Sequence, residues 1–169
     1  MTLRHKQLLG AGAVASLMAV TLGACMHDGS GAMAAKPDGF GVFYNDQGEQ
    51  ASLAYGQANS DNVALMMQCK KGAGAIQVSD TVRANTAPSL VLASGGRTSE
   101  LLTRVEAGEA GAPPMVIADT TAQADALRAF RRNGKLKVAY GDIRYGVSAS
   151  REEMAGVELF FSVCGKQAA

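Results

Sequence analysis

The sequence predicts a mainly β, α+β fold: an antiparallel β-barrel or sandwich of about eight short strands with two helices, one of them C-terminal. Three observations carry this expectation. Apolar residues recur with period two along most of the chain, turn-forming residues separate those runs at short intervals, and only two stretches show helical spacing, too few for a parallel α/β sheet. With 169 residues, 47% of them hydrophobic and 18% charged, the chain has material for one core. That composition excludes wholesale disorder, and the length excludes a large multi-domain enzyme.

Taken in order, Phe40, Val42 and Tyr44 share one face, Asn45-Asp46-Gln47-Gly48 supplies turn chemistry, and Ala51, Leu53 and Tyr55 alternate on the way back. Val63, Leu65, Met67 and Cys69 then alternate into Lys70-Lys71-Gly72-Ala73-Gly74, a second turn, from which Ile76 and Val78 return. Leu90–Ser94, Gly95-Gly96 and Thr98–Val105 suggest a third pair, with Glu100-Leu101-Leu102 blurring the alternation. Pro113-Pro114 stops the chain before a short apolar run, Met115-Val116-Ile117. Thr120-Thr121-Ala122-Gln123 has capping-box spacing and predicts a helix with Ala124, Leu127 and Phe130 as its apolar stripe and Asn133-Gly134 as its stop. Leu136, Val138 and Tyr140 against Ile143, Tyr145 and Val147 around Gly141-Asp142 form the clearest hairpin. Ser150-Arg151-Glu152-Glu153 is a second capping box. It opens the last helix, in which Met154, Val157, Phe161 and Cys164 recur at helical spacing before Gly165.

The N-terminal segment has another character. Arg4, His5 and Lys6 precede a stretch without charge from Leu8 to Ala24, and Leu22-Gly23-Ala24 leads into Cys25. This resembles the lipobox of bacterial lipoproteins, in which small residues admit the segment to a membrane peptidase and the following thiol accepts a diacylglycerol. The resemblance implies a leader at 1–24, lipidation of Cys25, a Gly/Ala/Ser-rich tether at 25–37 and a single β-rich domain at 38–169. It also implies a membrane held through the N-terminal lipid. With Met26 rather than aspartate after the cysteine, the expected address is the outer membrane, facing the periplasm. An uncleaved membrane anchor, or cleavage after Ala24 without acylation, are the other readings of the segment. Gly10-Ala11-Gly12-Ala13-Val14-Ala15 matches a dinucleotide-binding pattern, but it lies inside the leader and lacks the strand-to-helix setting that gives the pattern meaning.

If Cys25 carries lipid, Cys69 and Cys164 remain as an even pair in an oxidising compartment, and both sit on inward faces. A disulfide between them is the expected outcome; two separate buried thiols are the alternative. The bridge would close a loop of about 95 residues, for which chain entropy gives on the order of 4–5 kcal/mol.

Residue types narrow the chemistry. The two histidines, His5 and His27, fall in leader and tether, so the domain lacks the residue on which Ser-His, Cys-His and most zinc chemistry depends. No CxxC and no calcium loop is present. Asp61, Asp80, Glu100, Asp119 and Asp142 are available carboxylates, but nothing in their spacing selects a catalytic pair. No tryptophan occurs and aromatic residues make up 5%, which weakens a sugar-binding reading. The expectation is a non-catalytic module with neither cofactor nor metal. Sixteen basic residues against fifteen acidic leave no global field to attract nucleic acid.

Arg128, Arg131, Arg132, Lys135 and Lys137 fall within ten positions. They read either as a patch for an anionic glycolipid or acidic envelope-protein partner, or as a helix end complemented by arginine and continued by the wet face of a strand. Ser94-Gly95-Gly96-Arg97 resembles the Ser-Gly-x-Arg loop of periplasmic C-type lysozyme inhibitors, small disulfide-bonded barrels that insert this loop into the lysozyme cleft. The resemblance implies that Ser94 and Arg97 would meet the enzyme's two carboxylates; the aromatic and tryptophan-containing continuation of that family is missing here. The run at 129–136 and Phe160-Phe161-Ser162-Val163-Cys164 resemble small uncharacterised envelope proteins of alphaproteobacteria, which implies no activity.

Overall fold

A computed structural model describes residues 37–81, 88–108 and 113–165. The leader, Cys25 and all of the tether but Pro37 lie outside the described residues. The strands are β1 (Phe40–Gln47), β2 (Gln50–Gln57), β3 (Val63–Lys70), β4 (Ala75–Thr81), β5 (Ser89–Ser94), β6 (Arg97–Glu106) and β7 (Met115–Thr121), then β8 (Lys135–Tyr140) and β9 (Ile143–Ser148). Helix α1 (Asp125–Asn133) separates β7 from β8, and α2 (Met154–Cys164) follows β9. The nine strands form one antiparallel sheet in the order β1-β2-β3-β4-β7-β6-β5-β8-β9. Its edges, β1 and β9, approach one another, so the sheet curls into a nearly closed barrel. The predicted fold class holds, with nine strands in place of about eight: the Met115-Val116-Ile117 run extends to Thr121 and pairs with β4 on one side and β6 on the other.

Register explains which residues fill the barrel. Directly opposed residues point to the same face, so the pairs Val42↔Tyr55, Leu53↔Met67, Met67↔Val78, Val78↔Ala118, Leu92↔Val138 and Leu136↔Val147 carry one inward row around the sheet. Phe130 from α1 and Phe160 and Phe161 from α2 complete the core and are almost wholly buried. The blurred stretch of β6 keeps its alternation: Leu101 is buried while Leu102 is 86% exposed on the outer face.

One local expectation fails. Thr120 does not cap α1, because it is still in β7, opposite Ile76. The helix begins five residues later, at Asp125, with Ala124 at the cap position and no side-chain cap from its own segment. The Ala126 N–H donates instead to Ser99 Oγ of β6 at 3.2 Å, so a neighbouring strand supplies the acceptor the first turn needs. Gly134 ends α1 as predicted, in the left-handed region at φ 66°, with its N–H donating to the Phe130 carbonyl at 2.7 Å.

The second capping box is present. The Ser150 N–H donates to Glu153 Oε2 at 2.7 Å and the Glu153 N–H to Ser150 Oγ at 3.2 Å, across the turn that leads into α2. The far end of α2 is tied to the β3–β4 turn: Gly72 N–H donates to the Val163 carbonyl at 2.8 Å and Gly74 N–H to the Cys164 carbonyl at 2.9 Å. These bonds satisfy carbonyls that a helix C-terminus leaves orphaned. Beside them Cys69 and Cys164 form the disulfide, with Cα atoms 5.7 Å apart and 95 residues between them in sequence.

Candidate binding site at the barrel mouth

Strand β3 runs from Val63 at one end of the barrel to Cys69 near the other, about 20 Å away at the usual rise per residue. The disulfide and the α2 C-terminus occupy the Cys69 end. At the Val63 end the barrel opens into a cavity of about 550 Å³, a volume typical of small-molecule sites.

Its walls come from three hairpins. Phe40 of β1 and Tyr55 of β2 meet with ring centroids 5.3 Å apart, and Tyr55 stacks on Tyr145 of β9 at 6.5 Å with planes within 9° of parallel. Tyr140 of β8 donates its hydroxyl to the Thr81 carbonyl at 3.4 Å. Asp80 of β4 lies on the inward row, opposed to Leu65 and to Val116, and is 5% exposed. The Tyr145 hydroxyl donates to Asp80 Oδ2.

A β-bulge shapes the rim. Tyr55 opposes Leu65 but Gly56 opposes Val63, which leaves Ala64 as the extra residue. Glycine is required at 56 by close approach: a Cβ there would sit 2.4 Å from the Asn62 carbonyl oxygen. The loop between β2 and β3 thereby folds tightly against the strand, and Asp61, Asn62, Val63 and Ala64 all reach the cavity.

Burial raises the Tyr145 phenol well above its ordinary value, and the charge of Asp80 and the bond to it act in the same direction. Burial, with a smaller push from Glu153, also raises Tyr55. Both are neutral hydroxyls at physiological pH. Tyr55 Oη is the one buried side-chain polar atom among the described residues that has no hydrogen-bond partner. Such an orphan costs about 1–3 kcal/mol, and its place in the wall of a cavity is where a ligand or ordered water would relieve it.

Known families, curated proteins and solved structures give no match to this chain. Function therefore rests on the geometry.

The residues singled out by sequence lie elsewhere. Ser94 is 6% exposed and donates its hydroxyl to Asn133 Oδ1 at 3.2 Å, while Arg97 is exposed just past the Gly95-Gly96 turn. Of the basic cluster, Arg131 is engaged between helices: its Nε donates to Glu158 Oε2 at 2.7 Å and its Nη2 to Oε1. Arg128, Arg132, Lys135 and Lys137 are exposed, the lysines on the outer face of β8. A second, shallower groove of about 580 Å³ lies between the β3–β4 turn and α2. Its backbone groups bond one another, as in Ala122 N–H to the Gly74 carbonyl, and its one charged side chain, Arg131, is the one paired with Glu158.

Sequence reading missed the tyrosine and aspartate constellation at the mouth. One signal was present. Ile76, Val78 and Asp80 alternate on one face, so a carboxylate continues an otherwise apolar row into the interior.

Proposed function

We propose that this chain is a lipid-anchored cell-envelope protein whose disulfide-closed barrel is a non-catalytic binding module, with the mouth lined by Tyr55, Tyr140, Tyr145 and Asp80 as its site. The observation that carries the binding reading is the cavity: mostly apolar walls and a few convergent polar groups, at the open end of a small barrel whose other end is stapled shut. The Tyr55 and Tyr145 hydroxyls are held neutral, and the domain sequence offers no histidine and no unpaired thiol to act as a base or nucleophile. The anchor reading rests on Leu22-Gly23-Ala24-Cys25. Pro37, where the proposed tether ends, lines the cavity. Thirteen residues of tether reach at most about 45 Å, which would keep the mouth near the bilayer surface.

Two measurements test this. Membrane fractionation of wild type and Cys25→Ser is expected to move the protein from the membrane to the soluble fraction; a soluble wild type removes the anchor. Titration with the uncharged fluorophore N-phenyl-1-naphthylamine is expected to give saturable 1:1 binding that Val63→Trp, which fills the rim, abolishes. Non-saturable binding, or binding unchanged in that variant, removes the site.

A further inference from the structure

The chain enters the barrel at its mouth. Pro37 is exposed and lines the cavity just before β1, so the proposed tether from Cys25 ends on the rim. The other prolines of the chain, Pro88, Pro113 and Pro114, are exposed as well and precede β5 and β7, which start at the same end. Proline has no N–H, so apolar surface of this kind enters a lipid interface without leaving a donor unmet.

Larger apolar side chains stand beside the prolines. Of the large hydrophobic residues exposed among those described, Val105 and Met115 sit at this end, 39% and 38% exposed. Met115 opposes Thr81 and Glu106, and Val105 opposes Val116, whose other neighbour is Asp80. Thr81 and Asp80 line the cavity, so both apolar side chains flank its opening. The charges described there show no basic excess: Asp38, Asp61 and Asp142 are exposed, Glu106 is bonded to Arg104, and Arg144 donates to carbonyls of the β8–β9 turn. The exposed bases Arg128, Arg132 and Lys135 lie at the closed end, on α1 and at the start of β8.

We infer that the rim of the mouth docks on a lipid bilayer, with Pro113, Met115 and Val105 set into the interfacial layer and the cavity open toward the lipid. The docking rests on the proposed lipid at Cys25, and it adds the surface that meets the membrane and the direction in which the cavity opens. Burial of apolar surface drives it, without attraction to anionic headgroups. Thirteen residues of tether hold the rim at a millimolar effective concentration over the bilayer, so an affinity in that range keeps it docked about half of the time.

The chain contains no tryptophan, so one introduced at a chosen position reports its own surroundings. The test uses the full-length lipidated protein in phosphatidylcholine vesicles whose acyl chains carry bromine, which quenches indole emission. Pro113→Trp places the indole at the rim, and Gln123→Trp places it at the closed end, exposed between β7 and α1. Any preference of the indole itself for the interface acts on both alike. Pro113→Trp is expected to lose about half of its emission, and Gln123→Trp almost none. Pro114→Trp repeats the rim measurement at a second exposed position, so the result does not hang on one variant folding. Adding Met115→Asp to Pro113→Trp should weaken docking about tenfold and remove most of the quenching, because a carboxylate must shed water to dock. Phosphatidylglycerol in the vesicles should not increase the quenching at the rim.

Equal quenching at the two ends, quenching confined to Gln123→Trp, or quenching that appears only with the anionic lipid overturns the docking. Vesicle flotation separates its failure from that of the anchor. Protein that floats with the vesicles while both rim variants stay unquenched keeps the anchor and removes the docking. Protein that does not float removes both.

Discussion

Tyr145 of β9 donates its hydroxyl to Asp80 of β4 across 65 residues of sequence. The two strands are not neighbours in the sheet; curvature of the barrel brings their inward faces together at the mouth. This contact fixes both the shape and the polarity of the candidate site.

The contact has a signature at high pH. The folded Tyr145 phenol ionises well above the unfolded value near 10, so the folded state keeps a proton that the unfolded chain releases. The stability this contributes is whole below about pH 10 and is lost as pH rises toward the folded value. Absorbance at 295 nm should show tyrosine ionising in more than one step, the last coincident with unfolding, and Tyr145→Phe should remove one equivalent from that last step. Tyr145 ionising early in folded protein would contradict its burial.

The disulfide holds the α2 C-terminus against the β3–β4 turn. Cys69→Ser with Cys164→Ser is expected to lose about 2–5 kcal/mol in urea unfolding, given the long loop. Non-reducing mass spectrometry should recover one peptide containing both cysteines, and free thiols at both positions would contradict the bridge.

Arg131 and Glu158 join the helices through two parallel bonds. Both side chains are more than a third exposed, and solvent screening holds such pairs to about 0.2–1 kcal/mol. The bond from Arg131 depresses the Glu158 pKa below its usual value. Its contribution is therefore present above about pH 4.5 and lost as pH falls through the lowered value. A double-mutant cycle of Arg131→Ala and Glu158→Ala should give a coupling of that size at pH 7 and none near pH 2.

Gly134 terminates α1 at a positive φ, and a Cβ there would sit 2.6 Å from Met154 Sδ. Gly134→Ala is expected to cost about 1–3 kcal/mol through backbone strain and the shift forced on Met154, read by thermal or urea unfolding. A neutral substitution would show that the helix end relaxes without cost.

What was legible in the sequence follows from how local each signal is. The hairpins at 40–55 and 136–147 were readable because period two and turn chemistry sit within a few residues of one another. So was the Ser150–Glu153 box, whose two partners are three residues apart. The start of α1 was not, because its capping oxygen belongs to Ser99, 27 residues upstream of Ala126, and β7 continues through Thr120, the residue that resembled a cap. The basic run reads either as a patch or as a helix end continued by the wet face of a strand, and nothing within it shows that Glu158, 27 residues beyond Arg131, engages that arginine. The mouth was least legible of all: Tyr55, Tyr140 and Tyr145 occupy ordinary inward strand positions, and only the register around the barrel gathers them about Asp80.

The central claim, that the open end of the barrel is where this protein binds, meets its most direct test in the four tyrosines. Three of them line the cavity, and Tyr44 does not. With ¹³C-labelled tyrosine rings assigned by single Tyr→Phe variants, saturating N-phenyl-1-naphthylamine should shift Tyr55, Tyr140 and Tyr145 and leave Tyr44 in place. Shifts at Tyr44 as large as at the other three, or none at any of them, would contradict the account.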